Sequence, residues 1–496
     1  MNPSRGAAGK RGIVTPSSLV TNSTWLLASR LISIALGGAL SIVAIRSFEI
    51  GEWGRYSTIV SMIAIFGMFT EAGISSHTLR EASRAPEQEA QILARAQSAV
   101  ALTGSISLGL MIATAAALGY FDRIALIALA AGILICQAST TPLFALFNAR
   151  RALAYPSALT IASVVVSTGV GIGLIEMGLG PSGLLIGSLA AQLLAVTGGY
   201  WLLARRLGHK PRLQLPSRDA LRFIRAAVPI AATGGLAIIY QRLDILMLSK
   251  ISGDDLVAIY TVPYSLVQNS WVLPQVVGAA YFPVLAHQLR TDRALARHSF
   301  FLVVRLFLVA SLPVVLFLTV AGQSLLVGIF GHEYAAARGV LAILAWASLL
   351  GFQSYVLWYV ILASHLERRV VRIMLIGLLL NAALNAILIP LFGPEGAASA
   401  LVASDLFVIL GQVRLVHREI FAVPWGAIIG RPLAAGAVAA GTVVAMAGFG
   451  PIAAAVGGST VYAAGLLGFG YVSWEEWAPL RTPITGLARR LRPRTR

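Results

Sequence analysis

The sequence predicts an all-α, polytopic membrane protein of about 14 transmembrane helices, in two pseudo-symmetric six-helix lobes followed by two C-terminal helices. Three observations carry that prediction: composition, long unbroken apolar stretches, and basic clusters at alternate connections. Of 496 residues, 57% are hydrophobic and only 12% charged, with a mean hydropathy of +0.80. A water-facing surface needs far more ionisable residues than this, which excludes a soluble enzyme.

A helix of about 20 mainly apolar residues crosses a bilayer. Fourteen such stretches follow in order: 24–45, 53–75, 96–119, 124–147, 156–177, 182–204, 223–247, 255–282, 299–321, 338–363, 371–390, 395–413, 426–448 and 452–474. A β-barrel would show alternating segments of about ten residues, whereas these runs are continuous. The first twenty residues are polar and lead into a full-length span without an A-x-A-like cleavage site, so the first helix is expected to be retained.

The net charge of +18 raises nucleic acid as a partner, and the placement of the basic residues excludes it. Clusters fall at Arg5, Lys10 and Arg11, at Arg80, Arg84 and Arg95, at Arg150 and Arg151, and from Arg205 to Arg225. Further clusters are Arg290, Arg293 and Arg297, then Arg368, Arg369 and Arg372, then Arg414 and Arg418, and the tail from Arg481 to Arg496. These are alternate connections. The intervening ones carry little basic charge, and several are acidic: Glu176, Asp254 with Asp255, Glu333 and Glu395. Cytoplasmic loops hold the Lys/Arg excess, so both termini are expected in the cytoplasm and the helix count is even. High arginine and alanine content with only three lysines (Lys10, Lys210, Lys250) points to a GC-rich bacterial genome, and the expected location is the bacterial cytoplasmic (inner) membrane.

The lone Cys136 excludes an intramolecular disulfide and a cysteine metal cluster. The seven histidines fall in or beside loops without metal-ligand spacing, so neither metal nor cofactor is expected.

The chain punctuates itself twice. Arg46 to Tyr56 joins the first two spans and Lys250 to Tyr260 joins the seventh and eighth, each with a basic residue ten positions before a tyrosine that opens the next helix. Gly180-Pro-Ser-Gly183 and Gly393-Pro-Glu-Gly396 join spans five to six and eleven to twelve. The offsets are 204 and 213 residues. Gly-Pro-x-Gly is also a common tight turn, but both pairs fall at the same ordinal loop, as internal repeats in transporters do. The expected organisation is a cytoplasmic tail (1–20), an N-lobe (21–205), a basic linker (206–219), a C-lobe (220–418), two more helices (419–475) and a basic cytoplasmic tail (476–496).

Several residues in this frame resemble the multidrug/oligosaccharidyl-lipid/polysaccharide (MOP) superfamily, and in particular its Wzx-type oligosaccharide flippases and polysaccharide biosynthesis proteins. They are Gly51-Glu-Trp-Gly-Arg-Tyr56, Phe69-Thr-Glu-Ala-Gly-Ile74, and Arg242-Leu-Asp244 with Tyr260. Pro283, which closes the eighth span, and Asn381, Asn385, Leu388-Ile-Pro390, Gly393 and Gly396-Ala397 complete the set. The resemblance covers most of residues 20–420. It departs at Glu71, where relatives often have Asp, with the charge kept. It implies a flippase with a polyprenyl-pyrophosphate-linked oligosaccharide as cargo, serving surface polysaccharide such as lipopolysaccharide O-antigen. It also implies membrane lipids as neighbours and polysaccharide assembly proteins as possible partners.

Ionisable side chains inside spans are costly and face a cavity or a partner. Arg30, Arg242 and Arg305 are candidate substrate-binding residues, because an arginine fork pairs bidentately with phosphate oxygens. Arg30 and Arg305 lie about two turns or less from the cytoplasmic end by helix rise, where the stem can also snorkel to headgroups. Asn381 and Asn385 share a helix face and offer hydrogen bonds to sugar hydroxyls or to a neighbouring helix. Glu71, Asp244 and Asp405 are candidates for ion coupling or ion pairing: Glu71 is placed to neutralise Arg30, and Asp405 is the deepest acid. Phe352, Tyr355 and Tyr359 form a stripe that serves packing or sugar stacking. A cation- or drug-proton antiporter of the same superfamily would need a mid-span acid in the first lobe, which is lacking. A membrane glycan ligase or polymerase would need a large external loop or a catalytic cluster, and no Walker motif or nucleophile triad is present. The expectation is a transporter rather than an enzyme.

Overall fold

The computed structural model describes residues 16–207, 218–422, 425–468 and 471. Most of the N-terminal tail, most of the basic linker and the C-terminal basic tail lie outside them. Every regular element among the described residues is a helix, and ten segments are long and apolar enough to cross a membrane. The protein is a multi-pass, all-α membrane protein. The helices cluster into two compact units: unit 1 takes its residues from Met1–Ser47 and Ile63–Ala232, unit 2 from Phe48–Met62 and Thr233–Arg496.

Unit 1 holds α1 (Pro16–Ser47), the later part of α2 (Ile50–Glu71), α3 (Ile74–Arg84), α4 (Glu89–Leu118), α5 (Ile124–Ala149), α6 (Ala154–Glu176) and α7 (Gly180–Leu202), with most of α8 (Arg218–Tyr240). The α6–α7 pair is the tightest: a Cβ on Gly187 would lie 2.8 Å from the Ser167 carbonyl and 2.9 Å from the Gly171 nitrogen. Close backbone approach at small residues is how membrane helices associate. Helix α3 was not expected. It starts after Gly73 in the left-handed region (φ 75°), buries Ile74, Thr78 and Ala82, and leaves Arg80 and Arg84 exposed. Its eleven residues are too short and too polar to register as a span. The unit's core gathers Ile74, Leu93, Leu143, Leu146, Phe147 and Phe223. At its edge Glu89, 3% exposed, accepts from Arg150 Nε at 2.7 Å.

Unit 2 takes the start of α2 and adds α9 (Leu243–Ser252), α10 (Asp254–Ser270), α11 (Val272–Thr291), α12 (Arg293–Val320), α13 (Gly322–Phe330), α14 (Arg338–Ala363), α15 (Glu367–Glu419), α16 (Trp425–Ala445) and α17 (Pro451–Gly468). Two expected spans are each broken. The stretch 223–247 splits at Gln241–Arg242, where Arg242 leaves helical geometry (φ −127°, ψ −12°). Just beyond, the Asp244 carboxylate accepts the Ile245 N–H at 2.8 Å, a side-chain alternative to the helix ladder. The stretch 255–282 splits at Trp271 rather than ending at Pro283. Pro274 has no N–H to offer the Ser270 carbonyl, so it is accommodated in the first turn of a new helix, where no donor is needed. Helix α11 then runs through Pro283 to Thr291. Tyr56 and Tyr260 lie inside α2 and α10, not at their starts.

Helix α15 is continuous in register only in name: at Gly393 (φ 57°, ψ −129°) the backbone turns and the two arms pack antiparallel. Asn381 meets Ser404, Gly411 meets Ile373, and Arg369 Nη1 pairs with Glu419 Oε1 at 2.5 Å at the open end. These are the two spans expected at 371–390 and 395–413. The turn matches the one between α6 and α7. Gly180 and Gly393 both have positive φ (53° and 57°), a proline follows each, and Gly183 and Gly396 then lie directly on the preceding helix. Helices α16 and α17 close unit 2 against α12 through Ala435, Ala439, Tyr462 and Leu466 with Val309 and Leu312.

Candidate functional site

A polar cluster is built inside the apolar mass of unit 2, and the two helix breaks and the α15 hairpin position it. At the end of α8, the Tyr240 hydroxyl sits 2.9 Å from both Asp405 Oδ1 and Ser404 Oγ. Ser404 spends its own proton on the Ala400 carbonyl at 2.7 Å, and Asn381 Nδ2 donates to its oxygen at 3.0 Å. The single Tyr240 proton therefore goes to the carboxylate, where a charge-assisted bond is the stronger. Asn385 Nδ2 donates to Asn381 Oδ1 at 2.9 Å, which extends the chain to five side chains. Asn381, Asn385 and Ser404 are fully buried, and Asn385 Oδ1 has no hydrogen-bond partner among the described residues.

Asp244, at the start of α9, is also fully buried and accepts from the Tyr260 hydroxyl as well as the Ile245 N–H. Tyr260 stacks on Tyr264 with centroids 5.6 Å apart and planes 18° apart, and Tyr264 meets Trp271 edge-on at 6.3 Å. Asp244 and Asp405 are thus each held by a tyrosine hydroxyl. That arrangement suits a carboxylate which must be fixed in place yet remain able to take a cation or proton.

Of the residues expected to act, Asn381, Asn385 and Asp405 are linked directly through Ser404 and Tyr240. Arg242 is the residue just before α9, half-buried, two positions from Asp244. Arg305 is half-buried on α12, and its charge and that of Arg431 reach the buried Tyr471 hydroxyl. Arg30 is exposed on α1 and Glu71 is the exposed last residue of α2, both in unit 1. Within the aromatic stripe, Phe352 packs edge-on against Phe307, Tyr359 lies over Gly278, and Tyr355 lines a cavity. That cavity, about 320 Å³, opens beside Asp405. Sequence reasoning missed Tyr240, Ser404, Tyr264 and Trp271. The only signal available was a tyrosine next to Gln241-Arg242-Leu243-Asp244, an unusually polar run inside an apolar stretch.

A family model described as polysaccharide biosynthesis protein matches residues 46–338. The chain belongs to that family. Comparison with proteins of curated function finds no match. Among solved structures it is similar to the lipid II flippase MurJ in an inward closed conformation, with a TM-score of 0.70 and 13% identity over 91% of this chain and 98% of that one. It is also similar to the eukaryotic MATE transporter AtDTX14 (TM-score 0.55, 16% identity, 81% and 97% covered). An inward-facing multidrug resistance MATE family transporter of the MOP superfamily gives 0.52, with 14% identity over 79% and 96%. At such identities the likeness is one of fold. Family and fold together place the chain in the MOP superfamily anticipated from its motifs. The family match contains Glu71, Arg242, Asp244 and Arg305, while Asn381, Asn385 and Asp405 lie beyond it.

Proposed function

We propose that this protein is a flippase that moves a polyprenyl-pyrophosphate-linked oligosaccharide across the bacterial cytoplasmic membrane by alternating access, for surface polysaccharide synthesis. The observation that carries the reading is the polysaccharide biosynthesis family match over residues 46–338, on a chain whose fold follows that of a lipid II flippase over 91% of its length. It acts as a transporter, not an enzyme. Both termini are cytoplasmic, in keeping with the alternation of basic connections. The chain is read as two homologous lobes, 21–205 and 220–418, and the like-built turns at Gly180 and Gly393 support that reading.

In this function the arginines Arg30, Arg242 and Arg305 take the pyrophosphate, Asn381 and Asn385 hold the C-lobe helices in register, and Asp244 and Asp405 respond to a coupling ion or proton. A second reading, a cation or drug antiporter, is favoured by one observation: Asp405 lines a cavity rich in aromatic rings. The two are separated by leaflet-resolved detection of polyprenyl-linked glycan in cells depleted of the protein. Glycan accumulating on the cytoplasmic face is the expected result. A normal distribution with raised sensitivity to cationic drugs would replace the flippase with the antiporter. In the flippase, Arg30→Ala and Arg242→Ala abolish export while the protein stays in the membrane.

A further inference from the structure

The open end of the α15 hairpin carries two matched pairs of arginines. Arg372 and Arg414 each lie 21 residues from the Gly393 turn, on opposite arms, and Arg368 and Arg418 each lie 25 residues from it. By helix rise the first two stand about 32 Å from the turn and the second two about 38 Å. The hydrocarbon core is about 30 Å thick. A turn at one boundary therefore puts Arg372 and Arg414 at the other, and Arg368 and Arg418 one helical turn farther out, among the lipid phosphates. The orientation proposed above makes that end cytoplasmic.

All four side chains are exposed, and among the described residues none of them enters an ion pair or a side-chain hydrogen bond. Glu419 is taken by Arg369, and Glu367 lies about 100° around the helix from Arg368. Within each arm the two arginines are one turn apart, where like charges repel. Packing of the arms, with axes about 8–10 Å apart, brings a second such pair to the same height. An anion held between them relieves that repulsion.

The surface leading to these arginines is apolar. Ile376 and Leu379 follow Arg372 at i+4 and i+7, and Leu410 and Phe407 precede Arg414 by the same spacings, so a stripe runs along each arm into its arginines. The four apolar side chains are 38–63% exposed. The other side of the hairpin lines the cavity beside Asp405, through Met374 and Gln412. The stripes thus face outward, to acyl chains.

We propose that the outer face of this hairpin binds one diphosphatidyl lipid of the cardiolipin class from the cytoplasmic leaflet. One phosphate sits between Arg368 and Arg372 and the other between Arg414 and Arg418, where arginine forks meet phosphate oxygens bidentately. The acyl chains cover Ile376, Leu379, Phe407 and Leu410. A phospholipid with a single phosphate neutralises one arm and leaves the other charged. In a prenyl pyrophosphate the two phosphates are directly joined, which suits one arginine pair but does not span both arms. This lipid is a resident of the fold, distinct from the cargo, and shares with the flippase reading only the cytoplasmic orientation of the open end.

The test is native mass spectrometry of the full chain in detergent micelles, with tetraoleoyl cardiolipin, dioleoylphosphatidylglycerol and undecaprenyl pyrophosphate as probes. Cardiolipin is expected to bind about tenfold tighter than phosphatidylglycerol. Arg372→Gln with Arg414→Gln should erase that preference and leave undecaprenyl pyrophosphate binding unchanged. Arg80→Gln with Arg84→Gln removes the same charge from exposed positions on α3 and should leave the preference intact. Lysine at 372 and 414 keeps the charge and should retain part of the preference, which guards against a folding defect. Equal affinity of the unaltered protein for cardiolipin and phosphatidylglycerol overturns the site. So do equal losses in the two glutamine variants, which would mark general charge attraction. Undecaprenyl pyrophosphate binding that falls together with cardiolipin binding would make the hairpin a cargo surface and also overturns the resident lipid, while the flippase reading survives.

Discussion

Replacing Tyr240 by phenylalanine removes one oxygen and leaves the ring, which isolates the hydroxyl that joins α8 to the second arm of α15. Two partners lose a neighbour at 2.9 Å, and they should not lose equally. Ser404 keeps its bond to the Ala400 carbonyl and its donor Asn381. Asp405 loses the phenolic donor. Hydrogen bonds between membrane helices average about 0.6 kcal/mol and reach about 1.7 kcal/mol. A charged acceptor that is only half-buried belongs toward the upper end of that range. Tyr240→Phe should therefore destabilise the fold by about 1–2 kcal/mol. In double-mutant cycles the coupling with Asp405→Asn should be about 1 kcal/mol, and that with Ser404→Ala about half as large. Equilibrium unfolding in mixed micelles, followed by tryptophan fluorescence, measures both cycles. Coupling to Asp405 below about 0.3 kcal/mol, the ordinary scatter of additive sites, would refute the assignment of the tyrosine proton to the carboxylate.

Gly396→Ala should destabilise by about 1–3 kcal/mol, because its Cβ would overlap the Leu388 carbonyl, which no rotamer change relieves; Gly441→Ala, with open space around it, should be neutral or stabilising in the same thermal unfolding series. Arg150→Met should cost about 3 kcal/mol by stripping the buried Glu89 carboxylate of its guanidinium. Glu89→Gln should cost less, since the Arg150 side chain is 37% exposed and can turn to water; equal losses in chemical unfolding would contradict that asymmetry. In a Cys136→Ser background, cysteines at Ser57 and Thr261, whose hydroxyl oxygens are 3.3 Å apart, should cross-link on mild oxidation. Glycan export should then stop and return with reductant, and export that persists in fully cross-linked protein would remove the α2–α10 contact from the transport cycle.

How far each part of this molecule could be read from residues alone follows the range of the interactions involved. Most span-length apolar runs and the Gly-Pro-x-Gly turns are local and appear where expected, whereas the stretches 223–247 and 255–282 are each broken. The pairing of Asn381 with Asn385 is one helical turn and equally local. The breaks at Arg242 and Trp271 were invisible to hydropathy because Ile238, Ile239, Leu243 and Ile245 on one side, and Val272 and Leu273 on the other, keep the average high. Their local features, a carboxylate that accepts its neighbour's N–H and a proline three residues on, are readable only after the break is known. Tyr240 joins residues 164 and 165 positions away. Nothing in the periodicity of α8 or α15 announces such a partner, so Asp405 was found and Tyr240 was not.

The contact between α2 and α10 inside unit 2 bears on the repeat in a different way. Ser57 meets Thr261 and Gly51 meets Asp255, both at an offset of 204 residues, the offset already read from the Arg46 and Lys250 loops. Any parallel helix pair keeps a constant offset along its contact, so the two meetings count as one observation. What is informative is that this offset equals the one that aligns the loops. Under the proposed two-lobe reading, residues at equal repeat positions would touch on helices running the same way, as a parallel duplication would produce. A Cβ on Gly51 would stand 2.5 Å from Asp255 Oδ1, and one on Gly54 would overlap the Asp254 carbonyl. An aspartate at position 51 would put two carboxylates into one space. Glycine on α2 and an acid on α10 let the two helices meet, with Arg55 Nε at 3.4 Å from Asp254 Oδ2 supplying the opposite charge.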